Sequence, residues 1–305
     1  MQTPKQPRFF CFYTQFVPVQ RSDHINSFMS WIGGKKALRD EIVARFPLEY
    51  HRYVEVFGGG GWILFHLPPG EHDIYNDFNP NLANLFRCVR DKPEALIGEL
   101  EFTLNSRLDF RHVRQELKTR AETLPDVKRA AYFYQLIRYS YASGLDSFGG
   151  APRSMWDAFP LIRACCARLQ RVVVENRDFE RLIRQYDRPD TMFYCDPPYY
   201  NTESYYEDVG FTTKDHERLA NALMSIQGKF LLSYNDCPEI RELYKRPGIV
   251  IESTQRLSNI AQRYEGGAMF AELLIANYDI TEQAHNQLTL FDYRNEQLTP
   301  CSEIQ

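Results

Sequence analysis

Thr191-Met192-Phe193-Tyr194-Cys195-Asp196-Pro197-Pro198-Tyr199 reads as a buried strand running straight into an aspartate held by two prolines. The uncharged run Thr191 to Cys195 supplies the strand. The prolines fix the backbone behind Asp196, which then offers a carboxylate and a rigid carbonyl, at Pro197, to two N–H donors. Tyr199 adds a flat face on which a base can stack. Taken alone, Pro-Pro after a strand is also an ordinary turn.

Upstream stand three further stretches that give this one company. Tyr53-Val54-Glu55-Val56-Phe57 is an apolar strand that enters Gly58-Gly59-Gly60-Gly61 and a short apolar segment, Trp62 to Leu67. A glycine turn at the carboxyl end of a strand lets backbone groups approach a nucleotide-like ligand, though it also serves phosphates and tight packing. His72 to Asp77 is a second strand ending in an acid, the position from which a carboxylate accepts hydrogen bonds from ribose hydroxyls. Asp77 or Asn79 is equally suited to cap the helix announced by Pro80 and by Leu82, Leu85, Phe86 and Val89. Before them, Ser30-Trp31-Ile32-Gly33-Gly34-Lys35 precedes a helical pattern of Leu38, Ile42, Val43 and Phe46 that Pro47 stops.

In this order, Trp-Ile-Gly-Gly-Lys, Phe-Gly-Gly-Gly-Gly, Asn-Asp-Phe-Asn-Pro-Asn and Asp-Pro-Pro-Tyr, the chain resembles the Dam-type (D12 class) DNA adenine N6-methyltransferases from about Phe28 to Tyr278. The resemblance implies an α/β, Rossmann-like S-adenosylmethionine-dependent methyltransferase fold with a mostly helical inserted target-recognition domain. It implies that Trp31 and Lys35 lie against the methionine end of S-adenosylmethionine, beside Glu55, Phe57, Gly58 and Gly60. Asp77 would take the ribose hydroxyls, Asp178 and Phe179 the cofactor adenine, and Asp196, Pro197 and Tyr199 the target base. Without the other motifs, Trp31 would read as core and Lys35 as a solvated helix-start lysine.

These residue types suit the chemistry of an adenine amino group, whose lone pair is delocalised into the ring. Hydrogen bonds to Asp196 and to the Pro197 carbonyl favour a pyramidal nitrogen and stabilise the charge that grows during methyl transfer. The sulfonium is already activated, so no metal is required. In duplex DNA the nucleotide must leave the stack, at about a few kcal/mol, and stacking on Tyr199 returns roughly 1 to 3 kcal/mol.

Tyr200 to Phe211, which contains Tyr205 and Tyr206, reads as a mobile loop closing on substrate, followed by a helix capped by Thr212 and Asp215. Further strands are expected at Arg171 to Glu175, Lys229 to Tyr234, Gly248 to Glu252 and Phe270 to Tyr278, completing the mainly parallel sheet that the family implies. The expected division is an arm at 1–24, a discontinuous catalytic domain at 25–88 and 171–280, an insert at 89–170 and a tail at 281–305. Residues 85–190 carry a net charge of +4 and the remainder −8, so the insert region offers a phosphate-facing surface. The insert departs from better-known Dam members: it carries Arg138-Tyr139-Ser140-Tyr141 and Ser147-Phe148-Gly149-Gly150-Ala151-Pro152-Arg153, and nothing in it specifies GATC. Arg138, Tyr141, Ser147 and Arg153 are the candidate DNA contacts, while Tyr132, Phe133 and Leu136 read as core.

A 305-residue chain with 44% hydrophobic residues builds one sizeable domain plus a smaller insert. Its 7 cysteines show no CxxC pairing, as expected of reduced cytosolic thiols, and Cys195 reads as a small buried side chain. No secretory core and no bilayer-length apolar run is evident, and a cytoplasmic, nucleoid-associated protein is expected. Gln287-Leu288-Thr289-Leu290-Phe291 resembles the peptides by which bacterial replication and repair proteins dock on the sliding clamp, with Gln287, Leu288, Leu290 and Phe291 as contacts; folding back onto the catalytic domain is the equal alternative. Three activities stand open: adenine N6 methylation, cytosine N4 methylation, and noncatalytic DNA or clamp binding on a retained fold. Asp196 rather than Asn argues against a glutamine methyltransferase.

Overall fold

The computed structural model describes residues 24–202, 210–257 and 269–281. The arm, the tail with Gln287, Leu288, Leu290 and Phe291, and residues 203–209 of the expected closing loop, Tyr205 and Tyr206 among them, lie outside the described residues.

Seven strands form one sheet: β1 (Arg52–Glu55), β2 (His72–Asn76), β3 (Val172–Glu175), β4 (Thr191–Cys195), β5 (Lys229–Asn235), β6 (Val250–Leu257) and β7 (Met269–Ala276). Their spatial order is β3-β2-β1-β4-β5-β7-β6. The five strands from β3 to β5 pair in parallel; β7 runs antiparallel to both its neighbours. The sequence-expected edges were displaced at β6, which starts at Val250 rather than Gly248 and continues to Leu257. Strand order reverses between β1 and β4, and in open α/β sheets the crevice beyond the carboxyl ends at that reversal is where ligands bind.

Side-chain alternation splits the core between the two faces. Tyr53, Tyr75, Met192, Tyr194 and Leu231 point to one, Val54, Ile74, Phe193, Phe230 and Leu232 to the other. The second face is covered by α8 (Phe179–Tyr186), α9 (Thr213–Met224) and α10 (Pro238–Tyr244). The first is covered by α1 (Arg39–Ala44), α2 (Trp62–His66), α3 (Pro80–Asp91) and helices of the insert: α4 (Pro93–Glu101), α5 (Arg107–Arg120), α6 (Asp126–Tyr139) and α7 (Phe159–Leu169).

One apolar cluster therefore runs from the sheet into segment 89–170, with Phe133 and Leu136 buried in it as the periodicity anticipates. Polar links cross the same boundary as well: Tyr134 donates to the Phe28 carbonyl at 2.7 Å, and Arg168 pairs with Asp73 at 2.8 Å, both ends buried. α3 shows how local signals fix an element. Asn79 caps it by accepting from the Asn81 and Leu82 amides, and Pro80 occupies the first turn, where a missing N–H costs nothing. Asp77 is thereby released from capping. No helix among the described residues is long and apolar enough to cross a membrane.

Candidate active site

A cavity of about 420 Å³ opens beyond the carboxyl ends of β1, β2 and β4. Its floor is the turn after β1. Asn76, buried at the end of β2, donates to the carbonyls of Val56 and Arg177 and accepts from the Arg177 amide, tying three strand ends together. The turn needs its glycines: a Cβ on Gly58 would collide with the Tyr75 ring, and Gly61 caps α2 with φ +67. Asp77 accepts from the Gly59 and Asn79 amides at 2.9 and 2.8 Å, which leaves carboxylate lone pairs toward the cavity. Desolvation pushes its pKa up to about 6, against the pull of those two amides. Glu55 is buried deeper. Its Oε2 accepts from the Tyr53 hydroxyl and the Leu64 amide. Burial drives its pKa up to about 8, helped by the nearby Asp196 charge, which favours the protonated form of Glu55 at neutral pH.

Beyond β4, Asp196 faces Lys35 at 2.5 Å, and the Lys35 ammonium lies 4.9 Å from the centre of the Tyr199 ring. Lys35 is 4% exposed, so this cation is enclosed by the site rather than solvated. The Tyr199 hydroxyl donates to Glu272 of β7 at 2.5 Å. Asn235, at the end of β5, accepts from the Tyr200 amide and donates to its carbonyl. The segment after the prolines is therefore pinned to β5 and β7.

At the opposite end of the cavity, Phe57, Phe179 and Phe211 pack with ring centres 5.6 to 6.0 Å apart. Asp178 caps α8, and Arg218 of α9 pairs with Asp178 at 3.2 Å while its guanidinium covers the Phe179 ring at 4.7 Å. Trp31 lines the cavity and packs on Phe133, so the core and cavity-lining readings both hold for it.

Residues 143–146, after α6, form the rim that segment 89–170 contributes. Three non-glycine residues in and next to this rim, Ala142, Ser143 and Leu145, are left-handed, with φ between 51 and 63. Such positions cost of order 1 kcal/mol each and concentrate at functional sites. Ser143 is tied to Ser30 at 2.7 Å. The four candidate DNA contacts cluster just outside: Arg138 donates to the Ser154 carbonyl, Arg153 to the Arg138 carbonyl, and the Tyr141 amide to the Ser147 carbonyl, leaving the Tyr141 ring 48% exposed. Arg138 and Arg153 line a second hollow of about 300 Å³ with Lys36 and Trp62, not the main cavity.

Residues 31–260 match the family described as D12 class N6 adenine-specific DNA methyltransferase. The chain belongs to that family. Among its relatives, the type II methyltransferase M1.LlaDCHI of Lactococcus lactis subsp. cremoris is 28% identical over 84% of this chain and 96% of its own length. The DNA adenine methylase of Haemophilus influenzae is 26% identical over 81% of this chain and 92% of its own. The retron Ec67 DNA adenine methylase of Escherichia coli is 28% identical over 72% and 81%. This D12 enzyme is thus an adenine-specific DNA methyltransferase with an α/β methyltransferase fold.

In this D12 enzyme, Trp31, Lys35, Glu55, Phe57, Gly58, Gly60, Asp77, Asp178, Phe179, Asp196, Pro197 and Tyr199 all border one cavity. Sequence reasoning missed Glu272, whose only local signal is an acid inside the apolar strand Met269–Ala276, and Arg218, which reads as an ordinary exposed helix residue. Cys195 is buried against β5 with its thiol pKa pushed up by desolvation, which removes it as a nucleophile. The described residues contain no group of His, Cys, Asp and Glu arranged to hold a metal.

Proposed function

We propose that the methyl donor is S-adenosylmethionine and that the acceptor is an adenine swung out of duplex DNA into the Asp196 end of the cavity. The supporting observation is continuity: one cavity joins Asp196, Pro197 and Tyr199 to the tetraglycine turn. The cofactor, when bound, supplies an activated methyl on a sulfonium. Trp31, Glu55 and the glycine turn would hold its methionine end, with Lys35 beside them through its pair with Asp196, Asp77 its ribose hydroxyls, and Asp178 with Phe179 its adenine; Phe57, expected at the methionine end, packs on Phe179 and is reassigned to the adenine. The donor set fits a cationic ligand, because the cavity wall carries, besides the protonated Glu55, five aspartates against one lysine and two arginines.

On the acceptor side, Asp196 and the Pro197 carbonyl accept the two N–H bonds of the adenine amine. Their negative potential grows in value as the nitrogen gains positive charge, which selectively stabilises the transition state. Lys35 orients the Asp196 carboxylate. Tyr199, braced through its hydroxyl, presents the stacking face. The apolar walls exclude water from the transfer. Segment 89–170, with Arg138, Tyr141, Ser147 and Arg153, is assigned to target recognition. The tail peptide Gln287 to Phe291 is proposed to dock on a bacterial sliding clamp, so a tail peptide that fails to raise polarisation at high clamp concentration removes that assignment. An enzyme acting on cellular or phage DNA with reduced thiols works in the cytoplasm.

The experiment is labelled methyl transfer from S-adenosylmethionine to duplex DNA, followed by nucleoside analysis, for the parent and for Asp196→Ala. Label is expected in N6-methyladenine for the parent, with at least a 100- to 1000-fold loss (~3–4 kcal/mol) in the variant. Label in cytosine, or equal activity in both proteins, would overturn the reading.

A further inference from the structure

The helix α5, Arg107–Arg120, carries a row of cations that neither the motifs nor the cavity use. Arg107, Arg111, Arg114 and Lys118 are all exposed and are spaced four, three and four residues apart. At 3.6 residues per turn they fall within about 60° of one another, a single stripe along the helix. The acids of the helix, Asp109 and Glu116, fall on the opposite side, and Phe110 and Val113 turn into the core. Arg120, in the last turn, sits on the acidic side and pairs with Glu116 at 3.5 Å, while the face that holds the other four cations carries no acid. An ordinary solvated helix mixes the signs to form pairs along its surface.

Position gives the stripe its meaning. Arg114 pairs with Asp146 at 2.7 Å, and Asp146 lines the mouth of the main cavity. Arg107 lies over the Phe148 ring at 5.0 Å, and Asn105, just before the helix, donates to the Ala151 carbonyl. The stripe thus begins against the rim loop and continues outward through Arg111 and Lys118, which have no ion-pair partner among the described residues. We infer that this face of α5 is a track for the phosphodiester backbone of the duplex flanking the extruded adenine, an inference that rests on the DNA reading of the cavity. A polyanion is the occupant that matches four aligned cations, whose contacts release counterions in proportion to the phosphates neutralised. The exposed arginines in the row also hold phosphate oxygens in forked geometry.

The test uses the full chain and a short mixed-sequence duplex, with binding followed by fluorescence anisotropy across a salt series. A variant carrying Arg107→Gln, Arg111→Gln, Arg114→Gln and Lys118→Gln is expected to bind about 10- to 100-fold more weakly at low salt. Its plot of log affinity against log salt should be shallower by about 3.6, since each of the four phosphate contacts contributes roughly 0.9 to the slope. Its melting temperature and its binding of S-adenosylmethionine by calorimetry should match the parent. A control neutralises Arg188, Lys229, Lys245 and Arg246, four exposed cations at the amino ends of the parallel strands, on the edge away from the cavity. An equal loss in that control would assign the effect to net charge and overturn the track. A parent that binds and methylates DNA while the α5 variant keeps its affinity and slope overturns the track alone. A parent that binds no duplex overturns the DNA reading of the cavity, and the track with it.

Discussion

At the floor of the cavity the backbone is locked: Asn76 bridges three strand ends, and the left-handed positions at Gly59 and Gly61 are filled by the one residue for which that conformation carries no penalty. At the rim, Ala142, Ser143 and Leu145 are held left-handed although none is glycine, and the loop returns to α6 through an isolated bridge between Ser140 and Phe148. The same backbone geometry is relaxed in one region and strained in the other. On the proposed assignment the floor would hold the cofactor, and it is built from unstrained turns and satisfied polar groups. The rim would face the DNA, and strain there marks a segment whose shape is imposed by its surroundings.

The largest effect that tests this contrast belongs to Lys35→Met. The sequence motif assigns Lys35 to the cofactor, whereas its 2.5 Å contact is with Asp196, so it should act chiefly on the acceptor side. Turnover is expected to fall about 100-fold or more, while cofactor affinity measured by calorimetry changes less than about tenfold. The reverse split would return Lys35 to the cofactor. A step smaller is Glu272→Gln. A glutamine keeps an acceptor for the Tyr199 hydroxyl but removes the charge, and kcat should drop about tenfold with cofactor affinity intact. Extrusion of the base, followed by a fluorescent adenine analogue, should weaken in parallel. Unchanged extrusion and turnover would leave Glu272 a packing residue.

The floor was legible in the sequence and much of the wall and rim was not, for reasons these residues make concrete. Asp196, Gly58 and Asp77 announce themselves because each sits at a strand end inside a short motif, where residue type and function are decided locally. Glu272 reaches Tyr199 across 73 residues of sequence, and Arg218 reaches Asp178 across 40, so only the assembled sheet brings them together. The rim is opaque for another reason. Left-handed backbone is read from glycine or asparagine, and Ala142, Ser143 and Leu145 carry neither signal. The α5 stripe lay in view as an arginine excess, yet which face it occupied depended on where the core fell.

Protonation distinguishes the regions more gently. Glu55 holds its proton up to about pH 8 in the folded protein, whereas the unfolded chain releases it near its ordinary value of 4.5. Between those values the folded state binds more protons, so this group lowers stability as pH rises from about 4.5 to 8 and has no further effect above. Glu55→Gln should flatten that slope, by up to about 1 kcal/mol per pH unit, seen most clearly as a melting temperature that no longer drifts downward between about pH 6 and 8, above the range in which Asp77 adds the same sign of drift. Turnover at saturating cofactor should change only about threefold. A melting curve with the same drift in both proteins would place the titrating group elsewhere.

The smallest effect is the one that separates floor from rim most directly. Gly61→Ala places a Cβ 3.0 Å from the Phe65 ring at φ +67, and should cost about 1 to 2 kcal/mol in denaturant unfolding. Ala142→Gly makes the opposite exchange at an exposed position with φ 51. Relief of left-handed strain, about 1 kcal/mol, is there offset by the larger conformational entropy of glycine in the unfolded chain, about 0.5 to 1 kcal/mol, so stability should stay within about 0.5 kcal/mol of the parent. The DNA KM should nonetheless rise a few-fold, because the rim gains conformations that do not present the candidate contact Tyr141 to the duplex. If Ala142→Gly leaves the KM unchanged, the left-handed rim is a by-product of how α6 ends rather than part of how this enzyme meets DNA.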